Sequence, residues 1–329
     1  MEEVIIVGAG PCGISAAVEL KKAGIPALVI EKHCIVNSIY LYPTHLQFFS
    51  TPDLLEIGDI PFTTPSDKPS RQEALFYYRN VARHFDLNIR SYEEVTSIRK
   101  KDGHFVVTSV NRGGRQIETE AKHVVISTGY FDTPNLLGIP GEELPKVTHY
   151  YREAHPYTNM KVAIIGGNNS AIDAALDLMR VGAEVTVVYR QEQMSPSIKP
   201  WVRPIFESMV AKGHIRMLYA SRVVRIDDLT VTVDTNGSQA VLDNDFVLAL
   251  TGFRPDRTLM IESGVELQGE HLKPLYDPET MESNVPGLYV AGVIASGHNA
   301  NEIFIETGRK HGVAIARHIA SKGHTDLSS

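Results

Sequence analysis

The chain has 329 residues, 43% of them hydrophobic and 22% charged, enough for a folded core over two domains of roughly 150 residues each. Lys and Arg number 32 against 39 Asp and Glu, a net charge of −7, and no basic patch stands out, which argues against nucleic acid as a partner. Two cysteines, Cys12 and Cys34, make neither a disulfide framework nor a CxxC pair, and no spacing of histidines and cysteines suggests a metal.

The chain opens directly into an apolar strand at Val4, without a basic segment followed by a long apolar run. No later stretch approaches the roughly 20 apolar residues of a bilayer span, so a soluble, cytoplasmic protein is expected. Val4 to Val7 is a β-branched run ending in the glycine-rich segment Gly8 to Gly13. A helix from Ile14 to Lys22 follows, and a second strand, Ala27 to Ile30, ends at Glu31. Phe105 to Val110 and Gln116 to Ala121 flank a turn and predict a hairpin, and Val124 to Ser127 predicts a further buried strand closing on Thr128 and Gly129. The opening pattern then recurs. Val162 to Ile165 runs into Gly166 to Ala171, a helix to about Arg180 follows, and the strand Glu184 to Val188 leads to Tyr189 and Arg190. Strands at Val223 to Ile226, Val231 to Asp234 and Phe246 to Leu250 come next, the last ending in Thr251 and Gly252. A strand from Pro286 enters a glycine turn at Gly292, and a helix from Glu302 to Ser321 is expected to close the chain.

Strand, glycine turn, helix, strand is the βαβ unit of a nucleotide-binding sheet, and two of them predict an α/β fold with two Rossmann-like, three-layer dinucleotide-binding domains. The second is read as inserted into the first: residues 1–131 and 254–329 as the first domain, 132–253 as the second. In the first turn Gly8 permits the tight bend, Gly10 lets backbone approach a pyrophosphate, and Gly13 allows close helix–strand packing. The amides at Cys12 and Gly13 face the phosphates, and Glu31 stands where a carboxylate accepts from a ribose 2′-hydroxyl. In the second turn Gly166 and Ala171 keep the outer roles, while Asn168 takes the middle position. Its tolerance of left-handed backbone angles is expected to preserve the bend. Arg190 replaces the acidic strand end, which suits a 2′-phosphate and favours NADPH over NADH; an exposed arginine at a strand end is the plainer alternative.

Together these residues resemble the low-molecular-weight thioredoxin reductase-like flavoproteins over nearly the whole chain. The match rests on Gly8 to Gly13, Glu31, Thr128-Gly129, Gly166 to Ala171, Thr251-Gly252 and Gly287 to Gly292. It implies FAD at Gly8, Gly10, Pro11, Cys12, Gly13, Glu31, Lys32, Val95, Thr128, Gly129 and Gly292. It implies NADPH at Gly166, Gly167, Asn168, Asn169, Ser170, Ala171 and Arg190, with hydride transfer from nicotinamide to flavin. Several departures narrow the resemblance. Thr148 to His155, where thioredoxin reductases carry their CxxC, holds no cysteine. Gln191 and Ser195 stand where the family has further arginines, and Val293 replaces an acidic residue that contacts the flavin ribityl chain. Flavin monooxygenases share the first motif and a pair like Pro61-Phe62, but their FxGxxxH signature is missing before the second turn.

A cysteine inside the first glycine motif and no dithiol make the chain similar to the bacillithiol disulfide reductases. That resemblance implies NADPH- and FAD-dependent reduction of a small-molecule disulfide with Cys12 participating, in a homo-oligomer. Physics alone leaves Cys12 open. The helix start lowers a thiol pKa, a bound pyrophosphate raises it, and free cysteines often merely pack. Cys34 is read as a bystander. His45, His149, His155 and His298 are proton-donor candidates by residue type only, and Trp201 and Phe76 to Tyr78 are read as core or interface. A ferredoxin-type flavin reductase and a non-catalytic redox sensor are the competing functions.

Overall fold

The computed structural model describes residues 1–297 and 302–325. The chain divides into two compact units. The first takes Met1–Tyr40, Leu46–Thr133 and the segment from Phe253 onward, and the second takes Leu41–His45 and Pro134–Gly252.

At the centre of the first unit is the Glu2–Val7 strand, whose Val4, Ile5 and Ile6 are fully buried. The parallel strands Ala27–Glu31 and Asn88–Ser91 lie to one side of it, with Val4 opposite Ala27 and Leu28 opposite Asn88. To the other side lies Gln116–Ile126, which pairs in parallel with both Glu2–Val7 and Leu288–Val290. Parallel strands covered on both faces need unbroken apolar runs, and this is why they were conspicuous in the sequence. The earlier half of Gln116–Ile126 is antiparallel to His104–Asn111, which in turn pairs with Glu93–Lys101. The two strands expected at Gln116 to Ala121 and Val124 to Ser127 are therefore one. Lys122 does not interrupt it, because its side chain reaches Glu3 at 2.7 Å on the exposed face.

The Pro11–Lys22 helix begins with proline in its first turn and ends with Lys21 and Lys22, which suit the negative end of the helix dipole. The closing helix expected from Glu302 to Ser321 is instead broken into Ile305–Gly308 and His311–Thr325. Close packing explains the break. A Cβ on Gly308 would lie 2.8 Å from Cys12 Sγ, and one on Gly312 would lie 2.7 Å from Ala16 Cα. Ser15 Oγ also donates to the Arg309 carbonyl at 2.6 Å, in the gap between the two helices.

The second unit has a parallel sheet in the order Ile215–Leu218, Glu184–Val188, Lys161–Ile165, Phe246–Ala249, Val147–Thr148. Helices Asn169–Arg180 and Arg203–Ala211 pack on one face through Ile172, Ala175, Leu178 and Phe206. The antiparallel strands Ser221–Ile226, Thr230–Thr235 and Ser238–Asp243 cover the other through Val223, Ile226, Val231 and Val233. That makes three layers around two cores. Leu41–His45 joins this unit through the Thr44 amide, which donates to the Arg152 carbonyl at 2.8 Å. No helix among the described residues is long and apolar enough to cross a membrane.

Candidate functional site

In the first turn, Gly8 has a φ of +105°, and a Cβ there would stand 2.7 Å from the Ser127 carbonyl oxygen. A Cβ on Gly13 would run into the Gly8 carbonyl and stand 2.6 Å from Ser127 Oγ. That hydroxyl donates to the Val7 and Gly8 carbonyls at 2.9 and 3.0 Å, tying the turn to the end of Gln116–Ile126. Gly10 differs from both. Its backbone is extended (φ −73°, ψ 174°), and a Cβ would meet nothing within 4 Å. The open space lies before a helix start that has no side-chain cap and no acidic residue in its first turn. Unpaired amides and the positive end of the dipole there suit an anion.

Glu31 does more than the sequence indicated. Its Oε2 accepts from the Ala9 amide at 2.7 Å and its Oε1 from the His33 amide at 2.8 Å, so the carboxylate fastens the glycine turn itself. Burial pushes this carboxyl above the ordinary range, and the two backbone bonds oppose that rise. Each oxygen keeps acceptor capacity for a ribose hydroxyl. Lys32 Nζ lies 3.1 Å from Asp132 and 3.9 Å from Glu94. Val95 is half-buried against the core, Thr128 is exposed, and Gly129 (φ +75°) has open space beside it. An open glycine, an uncapped helix start and a carboxylate at the next strand end fit a dinucleotide.

Cys12 sits in the first turn of the helix, with its sulfur against two glycines of the distant C-terminal segment. A Cβ on Gly292 or Gly308 would lie 2.9 or 2.8 Å from Sγ. Burial pushes the thiol up to about 12, and the nearby Glu306 carboxylate adds to the rise. At neutral pH Cys12 is therefore S–H. Glu306 accepts a hydrogen bond from the Ser50 hydroxyl. The Gly292 amide donates to His311 Nδ1 at 3.1 Å, which assigns the ring proton to Nε2, and burial pushes this imidazole down to about 4. Sequence reasoning missed both Glu306 and His311, because their positions depend on the packing of the last helices. Cys34 is also free, 3.5 Å from Asn37 Oδ1, with its thiol raised by burial first and Glu31 second.

In the second turn, Gly166 (φ +139°) is required because a Cβ would run into the Leu250 carbonyl. Asn168 is extended (φ −100°, ψ −175°), so the expected reliance on left-handed tolerance is corrected: any residue adopts this backbone. Asn168 is exposed, and the Asn169–Arg180 helix has no side-chain cap and no acidic first turn. The Cβ space of Gly167 is filled by the Tyr189 ring, so this glycine serves packing. Asn169 holds the following loop, donating to the Ser197 carbonyl and accepting from the Lys199 amide, both at 3.0 Å. Ser170 is exposed, Ala171 is fully buried, and Arg190 is exposed just past the strand end.

Of the candidate histidines, His45 and His155 are exposed, and His149 pairs with Glu142 at 3.4 Å. His298 lies outside the described residues. Tyr77 and Tyr78 are buried, with hydroxyls bonded to the backbone at Ile60 and Leu55, while Phe76 and Trp201 are exposed. No group of three or more His, Cys, Asp or Glu among the described residues could hold a metal ion.

Residues 5–292 match the pyridine nucleotide-disulphide oxidoreductase family. The chain belongs to this family. Membership brings FAD and NAD(P)H and makes the protein a flavin-dependent disulfide oxidoreductase. Within the pyridine nucleotide-disulphide oxidoreductases it is 48% identical over 323 residues to bacilliredoxin reductase Bdr of Bacillus subtilis (strain 168), covering 98% of each chain. Among solved structures it is similar to bacillithiol disulfide reductase Bdr (YpdA) from Bacillus cereus, at 48% identity and a TM-score of 0.95, covering 98% of this chain and 99% of that one. The Staphylococcus aureus protein of the same name is 46% identical with a TM-score of 0.93, covering 98% of each.

Proposed function

We propose that the protein is an NADPH-dependent reductase of a low-molecular-weight thiol disulfide, bacillithiol disulfide, with FAD at the first turn and NADPH at the second. The observation that carries this reading is the Cys12 thiol set at an uncapped helix start, with no cysteine anywhere in the second unit. The names of the Bacillus cereus and Staphylococcus aureus relatives support the substrate.

Gly8, Gly10, Pro11, Cys12 and Gly13 would hold the FAD pyrophosphate, Glu31 and Lys32 the ribose, Val95 the adenine side, and Thr128, Gly129 and Gly292 the remainder. Gly166 to Ala171 and Arg190 would hold NADPH. Bound, the flavin supplies a two-electron store that a nicotinamide hydride refills. The balance is one NADPH, one proton and one disulfide giving NADP⁺ and two thiols. Cys12 must lose its proton before it can attack a disulfide, and both its burial and the Glu306 charge oppose that loss. A Cys12→Ala variant tests its part: FAD should stay bound and NADPH should still reduce it, while turnover of bacillithiol disulfide is lost. Turnover at the parent rate would leave Cys12 a packing residue.

The name of the Bacillus subtilis relative favours a second acceptor, a bacilliredoxin, which is a protein substrate. Assaying NADPH oxidation with each acceptor separately decides between them. A reducing cytoplasm suits two free thiols, and sedimentation of the holoenzyme checks the expected homo-oligomer.

A further inference from the structure

We propose that Arg222 is a second reader of the NADPH 2′-phosphate, acting with Arg190 in the cavity that both residues line. The inference deepens the reading that the second turn binds NADPH and rests on it. One guanidinium is a weak discriminator here, because Gln191 and Ser195 supply no further positive charge after Arg190. The cavity past the Glu184–Val188 strand, about 860 Å³, is lined by Arg190 and by Arg222 from a different strand.

Backbone bonds bring the two together. The Tyr189 amide donates to the Leu218 carbonyl at 2.9 Å, the Ala220 amide to Gln191 at 2.8 Å, and the Ser221 amide to Tyr189 at 3.0 Å. All three bonds engage the residues that flank Arg190, Tyr189 and Gln191. Ala220 lies in the left-handed region (φ +47°), and the chain bends there from Ile215–Leu218 into Ser221–Ile226. Ser221 is buried, with its hydroxyl 2.6 Å from the Tyr219 carbonyl and 2.7 Å from Thr235 Oγ1, and Val223 is buried after it. Strand alternation therefore turns Arg222 outward, where it is exposed.

Charge balance makes the second arginine necessary. Glu192 and Asp234 also line the cavity. Asp234 is the cross-strand neighbour of Arg222, but its Oδ1 accepts from the Gly237 amide at 3.1 Å. Arg190 alone against two carboxylates leaves a net negative wall that repels phosphate, whereas Arg190 and Arg222 together cancel it. Two guanidinium groups lining one cavity can then share one dianion, a task for which the planar fork of arginine is better suited than a point charge.

The test is calorimetric titration of the FAD-loaded protein with 2′,5′-ADP and with 5′-AMP, alongside KM for NADPH and NADH. Arg222→Ala should weaken 2′,5′-ADP about tenfold, leave 5′-AMP unchanged and raise KM for NADPH but not NADH. Arg190→Ala should do the same, and Arg222→Lys should recover part of the loss. Unchanged 2′,5′-ADP binding in Arg222→Ala overturns the proposal, and so does an equal loss of both ligands, which would mark a structural residue. A parent protein that binds 2′,5′-ADP no better than 5′-AMP overturns the NADPH reading itself, a distinct result.

Discussion

The two glycine turns have the same plan and are built differently. In both, the first glycine is forced by a carbonyl of the neighbouring strand, Ser127 at Gly8 and Leu250 at Gly166. In both, the middle residue is extended and leads an uncapped helix. The third position separates them. At Gly13 a methyl has no room, whereas Ala171 carries one. The second turn is thus wider by a methyl group, and its own spare space, at Gly167, is taken up by the Tyr189 ring. A motif glycine is therefore explained by what stands where its side chain would be: backbone at Gly8, Gly13 and Gly166, a ring at Gly167, and open space at Gly10.

The sharpest way to break this comparison is at Gly10. Gly10→Glu adds bulk and negative charge in front of the helix start, and the folded variant should purify without FAD. Stoichiometric yellow protein would show that the open space is not the pyrophosphate site. Next comes the third position. Gly13→Ala should cost about 3 kcal/mol because rigid backbone must move, whereas Ala171→Gly at the matching position should cost about 2 kcal/mol through helix propensity and one lost buried methyl. Urea midpoints of both variants check this, and equal losses would erase the distinction.

Acid should also act on the first unit, where His311 holds the Gly292 amide beside Cys12. The His311 imidazole has its pKa depressed to about 4 in the folded chain, so it binds its proton more readily when unfolded. Stability is then intact above the unfolded value near 6.5 and falls as pH drops from there toward 4, by up to about 3 kcal/mol. His311→Asn keeps an acceptor for the Gly292 amide and removes the titration, so its urea midpoint should fall less between pH 7 and 4.5. The smallest effect is expected at Asn168. Because its backbone is extended, Asn168→Gly should change stability by no more than about 0.5 kcal/mol. A larger loss would mean that the carboxamide holds the turn.

Features set by local pattern were legible in the sequence. The buried parallel strands, both turns and the acidic or basic strand ends could all be read from neighbouring residues, because burial on two faces leaves an unbroken apolar run. What was not legible depends on distant packing. Nothing near Lys122 indicates that one strand serves both the parallel and the antiparallel part of a single mixed sheet. Nothing near Gly308 indicates a sulfur from the first helix, and Leu41–His45 gives no local sign of joining the second unit. Arg222 was hidden for the same reason: a strand-end arginine is unremarkable until Tyr189 and Gln191 are found bonded beside it.

The packing of Gly308 and Gly312 on the first helix has a consequence for the order of synthesis. The enclosure of Cys12 is built from residues far apart in the chain, Gly308 among them, so it does not exist on a ribosome that has yet to release Ile305–Gly308. Pro134–Gly252 is nearly a whole unit in one continuous stretch and emerges earlier. Domains generally fold as units during translation. The second unit can therefore be in place while the first still waits for Ile305–Gly308, and the Cys12 thiol is enclosed only once that segment has packed against it.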